Sequence, residues 1–109
     1  MELNAYRIMW LFVFFDLPTN TKKERKNAST FRKNLLKDGY GMMQFSVYMR
    51  HCASSESADV HEKRIKKILP PLGKVSVLRI TDKQFGCIMN FWGKAKVENE
   101  PTPLQLELF

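Results

Sequence analysis

Residues 8–15 read Ile-Met-Trp-Leu-Phe-Val-Phe-Phe, an unbroken apolar and aromatic run that ends at Asp16-Leu17-Pro18. A run this short, closed by a breaker, predicts a strand buried on both faces near the centre of a sheet. Thr21-Lys22-Lys23-Glu24 follows, with a hydroxyl first and a carboxylate three residues later. That spacing is a capping box, and it starts a helix just beyond Pro18. The helix is expected to reach about Asp38, where Gly39 supplies the stop. Ala28, Phe31 and Leu35 fall on one of its faces, while Lys22, Lys26, Lys33 and Lys37 fall mostly elsewhere, so one side is apolar and another cationic.

Met43, Phe45, Val47 and Met49 then alternate with Gln44, Ser46, Tyr48 and Arg50. A period of two predicts one strand with one buried face. Its polar face carries side chains able to hydrogen-bond a phosphate or a partner. Small polar residues over 53–59 lead into a second helix at about 57–69. Ala58, Ile65, Leu69 and Leu72 line its inner face, and Pro70-Pro71 closes it. Residues 75–80 predict a third strand, 82–84 a turn and 86–92 a fourth strand. Trp10, Trp92 and most phenylalanines then belong to the core. No hairpin signal appears in the forties, so the pattern supports an α+β fold, a sheet with two helices on one face, and leaves the exact topology open.

The first 95 residues form the expected domain, and residues 96–109 differ in character. Glu98, Glu100, Pro101 and Pro103 make a stiff polar linker. Leu104, Leu106 and Leu108 alternate with Gln105 and Glu107 before Phe109, a short strand expected to dock on a sheet edge, its own or a neighbour's. Residues 105–109 are also similar to the short peptide that bacterial proteins use to dock on the replication sliding clamp.

Charge narrows the choice of partners. Lys and Arg number 18 against 11 Asp and Glu, a net charge of +7 on 109 residues. A one-signed surplus favours a polyanion, with nucleic acid first, an anionic membrane surface second, and plain solubility as the alternative. The longest apolar run is far shorter than the roughly 20 residues of a membrane-spanning helix, so a cytoplasmic protein without a membrane partner is expected. Cys52 and Cys87 lie far apart, match no metal spacing, and read as small buried hydrophobes in a reducing compartment.

Asp16 is the sharpest chemical candidate. Ligand sites collect at the carboxyl ends of central strands, and a carboxylate there suits Mg²⁺ or Mn²⁺. The alternative is that Asp16 caps the turn at Pro18. No second carboxylate lies close in sequence, but a symmetric dimer would set two Asp16 side chains near one axis and share an ion for phosphodiester hydrolysis. Lys22, Lys23, Arg25, Lys26, Arg32 and Lys33, with Arg50 on the second strand, form a cationic set suited to phosphate contact. Lys63, Arg64, Lys66 and Lys67 form a second cluster. His51 and His61 have no partnered nucleophile and read as structural or surface residues. No Ser-His-Asp arrangement and no glycine-rich phosphate loop is visible.

Phe14-Phe15-Asp16-Leu17-Pro18-Thr19, Lys22-Lys23-Glu24-Arg25, Phe31-Arg32, Gly39-Tyr40 and Gln44-Phe45-Ser46-Val47-Tyr48 together resemble the Cas-two family of CRISPR spacer-acquisition proteins in its type II form. The match is dense over the first half of the chain and loose after it. The resemblance implies a ferredoxin-like sandwich, a homodimer, and a C-terminal strand that docks a neighbouring subunit or the Cas-one integrase. It implies that Asp16 takes the place of the family's metal-binding aspartate. It also implies metal-dependent endonuclease activity on RNA or DNA, and a structural role in which the dimer bridges two Cas-one dimers and holds duplex prespacer DNA in antiviral defence. The second strand must then bend or split between residues 41 and 52, or the tail counts as an extra strand. The family often places Tyr before the aspartate, where this chain has Phe15, a departure that bears on hydrolysis more than on binding.

Overall fold

The computed structural model describes residues 7–94. Strand β1 (Met9–Asp16) lies inside the sheet, paired antiparallel with β3 (Val47–Cys52) on one side and β4 (Lys74–Thr81) on the other. Trp10, Leu11, Phe12, Val13 and Phe15 are buried, as a strand apolar on both faces requires. Helix α1 (Lys22–Lys37) begins at the expected capping box. Thr21 accepts from the Glu24 amide, and the Glu24 carboxylate accepts from the Thr21 amide. It stops at Asp38 and Gly39, the latter at φ 90.

The expected single strand in the forties is instead a hairpin of β2 (Gly41–Gln44) and β3. Phe45 and Ser46 form its two-residue loop, with Ser46 at φ 66. A two-residue loop alone pairs positions of opposite parity, as Gln44 with Val47, but a register shift between Met42 and Gln44 restores like parity, as Met42 with Tyr48, so the alternation of apolar and polar positions runs through the hairpin and hides it. Tyr48, read as part of a polar face, is buried opposite Val13. The order is therefore β1-α1-β2-β3-α2-β4, with sheet order β2-β3-β1-β4 and every pairing antiparallel. This is the ferredoxin-like arrangement, and it settles the topology that pattern alone leaves open.

Helix α2 (Ser55–Lys67) starts two residues earlier than expected because Ser54 caps it, accepting from the Ser57 amide. Ala58 and Ile65 are buried as expected, but Leu69 and Leu72 are exposed, since the chain leaves the helix layer after Ile68. Residues 82–85 form a short helix, α3 (Asp82–Phe85), capped by Thr81 and Gln84. No strand follows it among the described residues, so the expected strand at 86–92 is absent there. Trp92, Phe45 and Phe91 are exposed rather than core, and Cys87 is exposed where Cys52 is buried. The docking strand with Leu104, Leu106, Leu108 and Phe109 lies outside the described residues. No described helix is long and apolar enough to cross a membrane.

Helices α1 and α2 cover one face of the sheet. Leu11, Val13 and Phe15 of β1 pack there with Phe31, Leu35, Ala58 and Ile65. The opposite face carries Trp10, Phe12 and Met49, with Ile80, Phe85 and Ile88 packed against them. Phe85 stacks on Trp10 with ring centroids 3.8 Å apart, and the Trp10 indole donates to Asp82 at 2.7 Å.

The two helices are tied by Asp38. Its carboxylate accepts from His61 Nδ1 at 2.7 Å and from Arg64 at 2.8 Å, and its carbonyl accepts from Arg50 at 2.7 Å. His61 is buried, so this partner is what makes a histidine tolerable inside the helix layer. Burial pushes the Asp38 carboxyl upward. The hydrogen bonds and charges of His61 and Arg64 outweigh it and hold the group below the usual carboxylate range. A lowered folded pKa stabilises the fold above the unfolded value and ceases to do so as pH falls through the folded one. Asp38→Ala is expected to lower stability by about 2–3 kcal/mol at neutral pH. In urea titrations repeated across pH, the gap to the parent protein should narrow below about pH 4.

Candidate nucleic-acid interface

The start of α1 is cationic because its cap leaves it so. Glu24 is committed to the backbone amides of Asn20 and Thr21, each at 2.9 Å. Arg25 donates to the carbonyls of Thr19 and Asn20, which fixes its guanidinium beside the β1–α1 loop. Lys22, Lys23, Lys26 and Lys33 are exposed, and none pairs with a described carboxylate. The ion pairs among described residues lie elsewhere. Asp38 takes His61 and Arg64, while Asp59 and Glu62 take Arg79 of β4. Asp38, Asp59 and Glu62 are thus engaged in joining α2 to its neighbours, and the α1 lysines stay one-signed.

Arg32 stands further along the helix, with its guanidinium carbon 5.2 Å from the centre of the Phe45 ring. Arg50 does not join this group. It lies at the far end of α1, about 24 Å of helix from Lys22 and about 9 Å from Arg32, where it is committed as a donor to the carbonyls of Asp38 and His51. In the second cluster, Arg64 is committed to Asp38, while Lys63, Lys66 and Lys67 are exposed.

Asp16 is exposed at the carboxyl end of β1, opposite Lys74 in the β4 register. The tip of the β2–β3 hairpin stands on the other side, where the Phe15 amide donates to the Ser46 carbonyl at 3.0 Å. Asp16, Phe14, Ser46, Val47, Lys74 and Ser76 line an open depression there. Lys74 and the serines escape a reading by sequence spacing, because only the register of the folded sheet brings them to Asp16. Phe15 itself packs edge-on against Phe31, with centroids 5.2 Å apart, in the helix layer. The expectation of a cation can be tested against this donor set. A hard divalent ion accepts one carboxylate, hydroxyl and water oxygens, and substrate phosphates. The described residues hold no group of three or more His, Cys, Asp or Glu able to bind a metal, and Lys74 opposes a cation. One chain therefore offers such an ion a single carboxylate in this depression.

A family model described as CRISPR associated protein Cas2 matches residues 9–88. The chain belongs to the Cas2 family. The CRISPR-associated endoribonuclease Cas2 of Flavobacterium psychrophilum is 60% identical over 108 residues, covering 99% of this chain and 94% of that one. The protein of the same name from Parvibaculum lavamentivorans is 52% identical over 101 residues, covering 93% and 100%. The matched span of the Cas2 model runs from the start of β1 through α3, so it includes Asp16, all of α1 and the hairpin.

Gly73 lets the start of β4 approach the backbone of Asp16 and Leu17 closely. It has φ +100, and a Cβ on it would meet the Asp16 carbonyl oxygen at 2.8 Å and Leu17 Cδ2 at 2.7 Å. Gly73→Ala is expected to cost about 2 kcal/mol from backbone strain and the forced shift. The thermal midpoint should fall accordingly, and amide shifts in a heteronuclear NMR spectrum should move at residues 16–17 and 72–74.

Proposed function

We propose that this Cas2 chain is the nucleic-acid-holding, bridging subunit of CRISPR spacer acquisition. A pair of chains would bind duplex prespacer DNA and link Cas-one integrase dimers. The observation that carries the reading is the placement of the α1 lysines, which pair with no described carboxylate, beside the carboxyl end of β1 and next to a stretch of sheet that no described element covers. Phe14 and Leu78 are 38% and 48% exposed there, on the face opposite α1 and α2. Such a patch fits a second copy of the chain packed face to face across a twofold axis. The register supports this, since Phe12, Phe14 and Asp16 share the side of β1 that faces away from α1 and α2. Two half-sites would then meet near the axis and hold one Mg²⁺ or Mn²⁺ with phosphate oxygens completing its shell. The lysines contact phosphates without reading sequence, so affinity should depend steeply on salt.

A second reading is favoured by the names of the relatives, which are called endoribonucleases. In that reading the paired aspartates bind a divalent ion that assists attack on a phosphodiester bond in RNA or DNA. The setting for either reading is the cytoplasm.

Integration assays with purified Cas-one separate the two. Asp16→Asn is expected to leave integration intact, whereas removal of residues 104–109 is expected to abolish it. Normal integration by the truncated protein would reject the bridging role. Mg²⁺-dependent cleavage lost in Asp16→Asn would establish the nuclease. Neutralising Lys22, Lys23 and Lys26 together should reduce the slope of log affinity against log salt by about 1 per lost phosphate contact.

A further inference from the structure

Phe45 is 78% exposed at the tip of the β2–β3 hairpin, so its ring serves no core. Several features nevertheless hold it in place. Ser46 beside it has φ 66, a left-handed conformation that a non-glycine residue adopts when its surroundings insist on it, and such positions gather at functional sites. The Ser46 carbonyl accepts from the Phe15 amide at 3.0 Å, which anchors the turn to the end of β1. The Arg32 guanidinium stands 5.2 Å from the ring centre. Beside the tip lies the depression lined by Ser46, Asp16, Lys74 and Ser76.

We infer that Phe45 is a stacking platform for an unpaired nucleobase, with Arg32 steadying the ring and offering charge to the adjoining phosphate. The inference rests on the nucleic-acid reading above and adds which part of the strand is taken: bases freed from pairing, at a duplex end or in a single strand. An aromatic ring beside an arginine within a cationic surface is the combination that grips single strands. Every base has a π-face, so the contact is indifferent to sequence. A protein-docking anchor would sit in a closely packed apolar surround, whereas Phe45 has Arg32 against it, Lys33 on the same helix and the Asp16 carboxylate lining the depression beside the hairpin's tip. Single-stranded DNA and RNA share this chemistry, and the test includes both.

The full-length parent, Phe45→Ala, Phe45→Leu and Phe45→Trp are compared by fluorescence anisotropy. The ligands are a blunt DNA duplex, the same duplex with single-stranded ends, and a single-stranded RNA. Phe45→Ala and Phe45→Leu are expected to weaken binding of the duplex with single-stranded ends by about tenfold and that of the blunt duplex by less than about twofold. Phe45→Trp should restore binding, with its indole emission quenched by the unpaired strand. A matching loss on RNA assigns the platform to bases on either sugar, and a loss confined to DNA assigns it to DNA. Phe45→Leu equal to the parent on single-stranded ends, or a blunt duplex weakened as much as an overhanging one, overturns the inference. A parent that binds no blunt duplex rejects the bridging role instead, and the platform is then judged on the single-stranded arms alone.

Discussion

β1 carries apolar side chains on both of its faces, and the fold is arranged to keep both from water. Full burial of each large side chain contributes roughly 1.5–3 kcal/mol, so neither face can be left bare without penalty. On one side α1 and α2 form a complete layer over Leu11, Val13 and Phe15. On the other, α3 and the residues just after it reach only part of the strand, with Phe85 and Ile88 packed on the Trp10 cluster. Among the described residues, cover is therefore complete at the amino end of β1 and missing at its carboxyl end. The uncovered end is also where Asp16, the hairpin tip and the start of α1 converge. Incomplete burial and candidate chemistry share one location because one strand sets both.

Charge is sorted by the same layering. The carboxylates of Asp38, Asp59 and Glu62 face Arg64 and Arg79 across joints between α2 and its neighbours. Partly exposed pairs of this kind fix geometry more than they add stability. Their wider effect is subtraction: with these acids engaged, the lysines of α1 project an uncompensated field. A net charge of +7 alone does not say where the excess sits; the packing of α2 does.

Local chemistry announces α1 completely in the sequence, because a capping box and a terminal glycine are each short-range signals. β1 is equally plain, and Asp16 stands out at its end. The hairpin leaves no such mark, because Phe45-Ser46 lacks the Asn or Gly that usually betrays a tight turn. The strand expected at 86–92 has the right composition, but a capped turn at Thr81 folds the chain back onto Trp10 instead. Residues joined only by register are the least legible, and Lys74 beside Asp16 is the plainest case. Asp38 reads as a helix end, and its grip on His61 and Arg64 depends on helices meeting that are far apart in the chain. The family resemblance supplies the topology that periodicity does not.

The pairing of β1 also has a history in time. Its neighbours begin at Val47 and Lys74, so the greasiest segment emerges from the ribosome well before either edge can be satisfied. Local structure such as α1 forms early, while both ladders wait on distant partners. Until Thr81 is out, the nascent chain carries an open strand edge rich in aromatics, the kind of surface that invites association with other unfinished chains. Synthesis of this protein is thus most exposed to error in the interval between its first strand and its fourth.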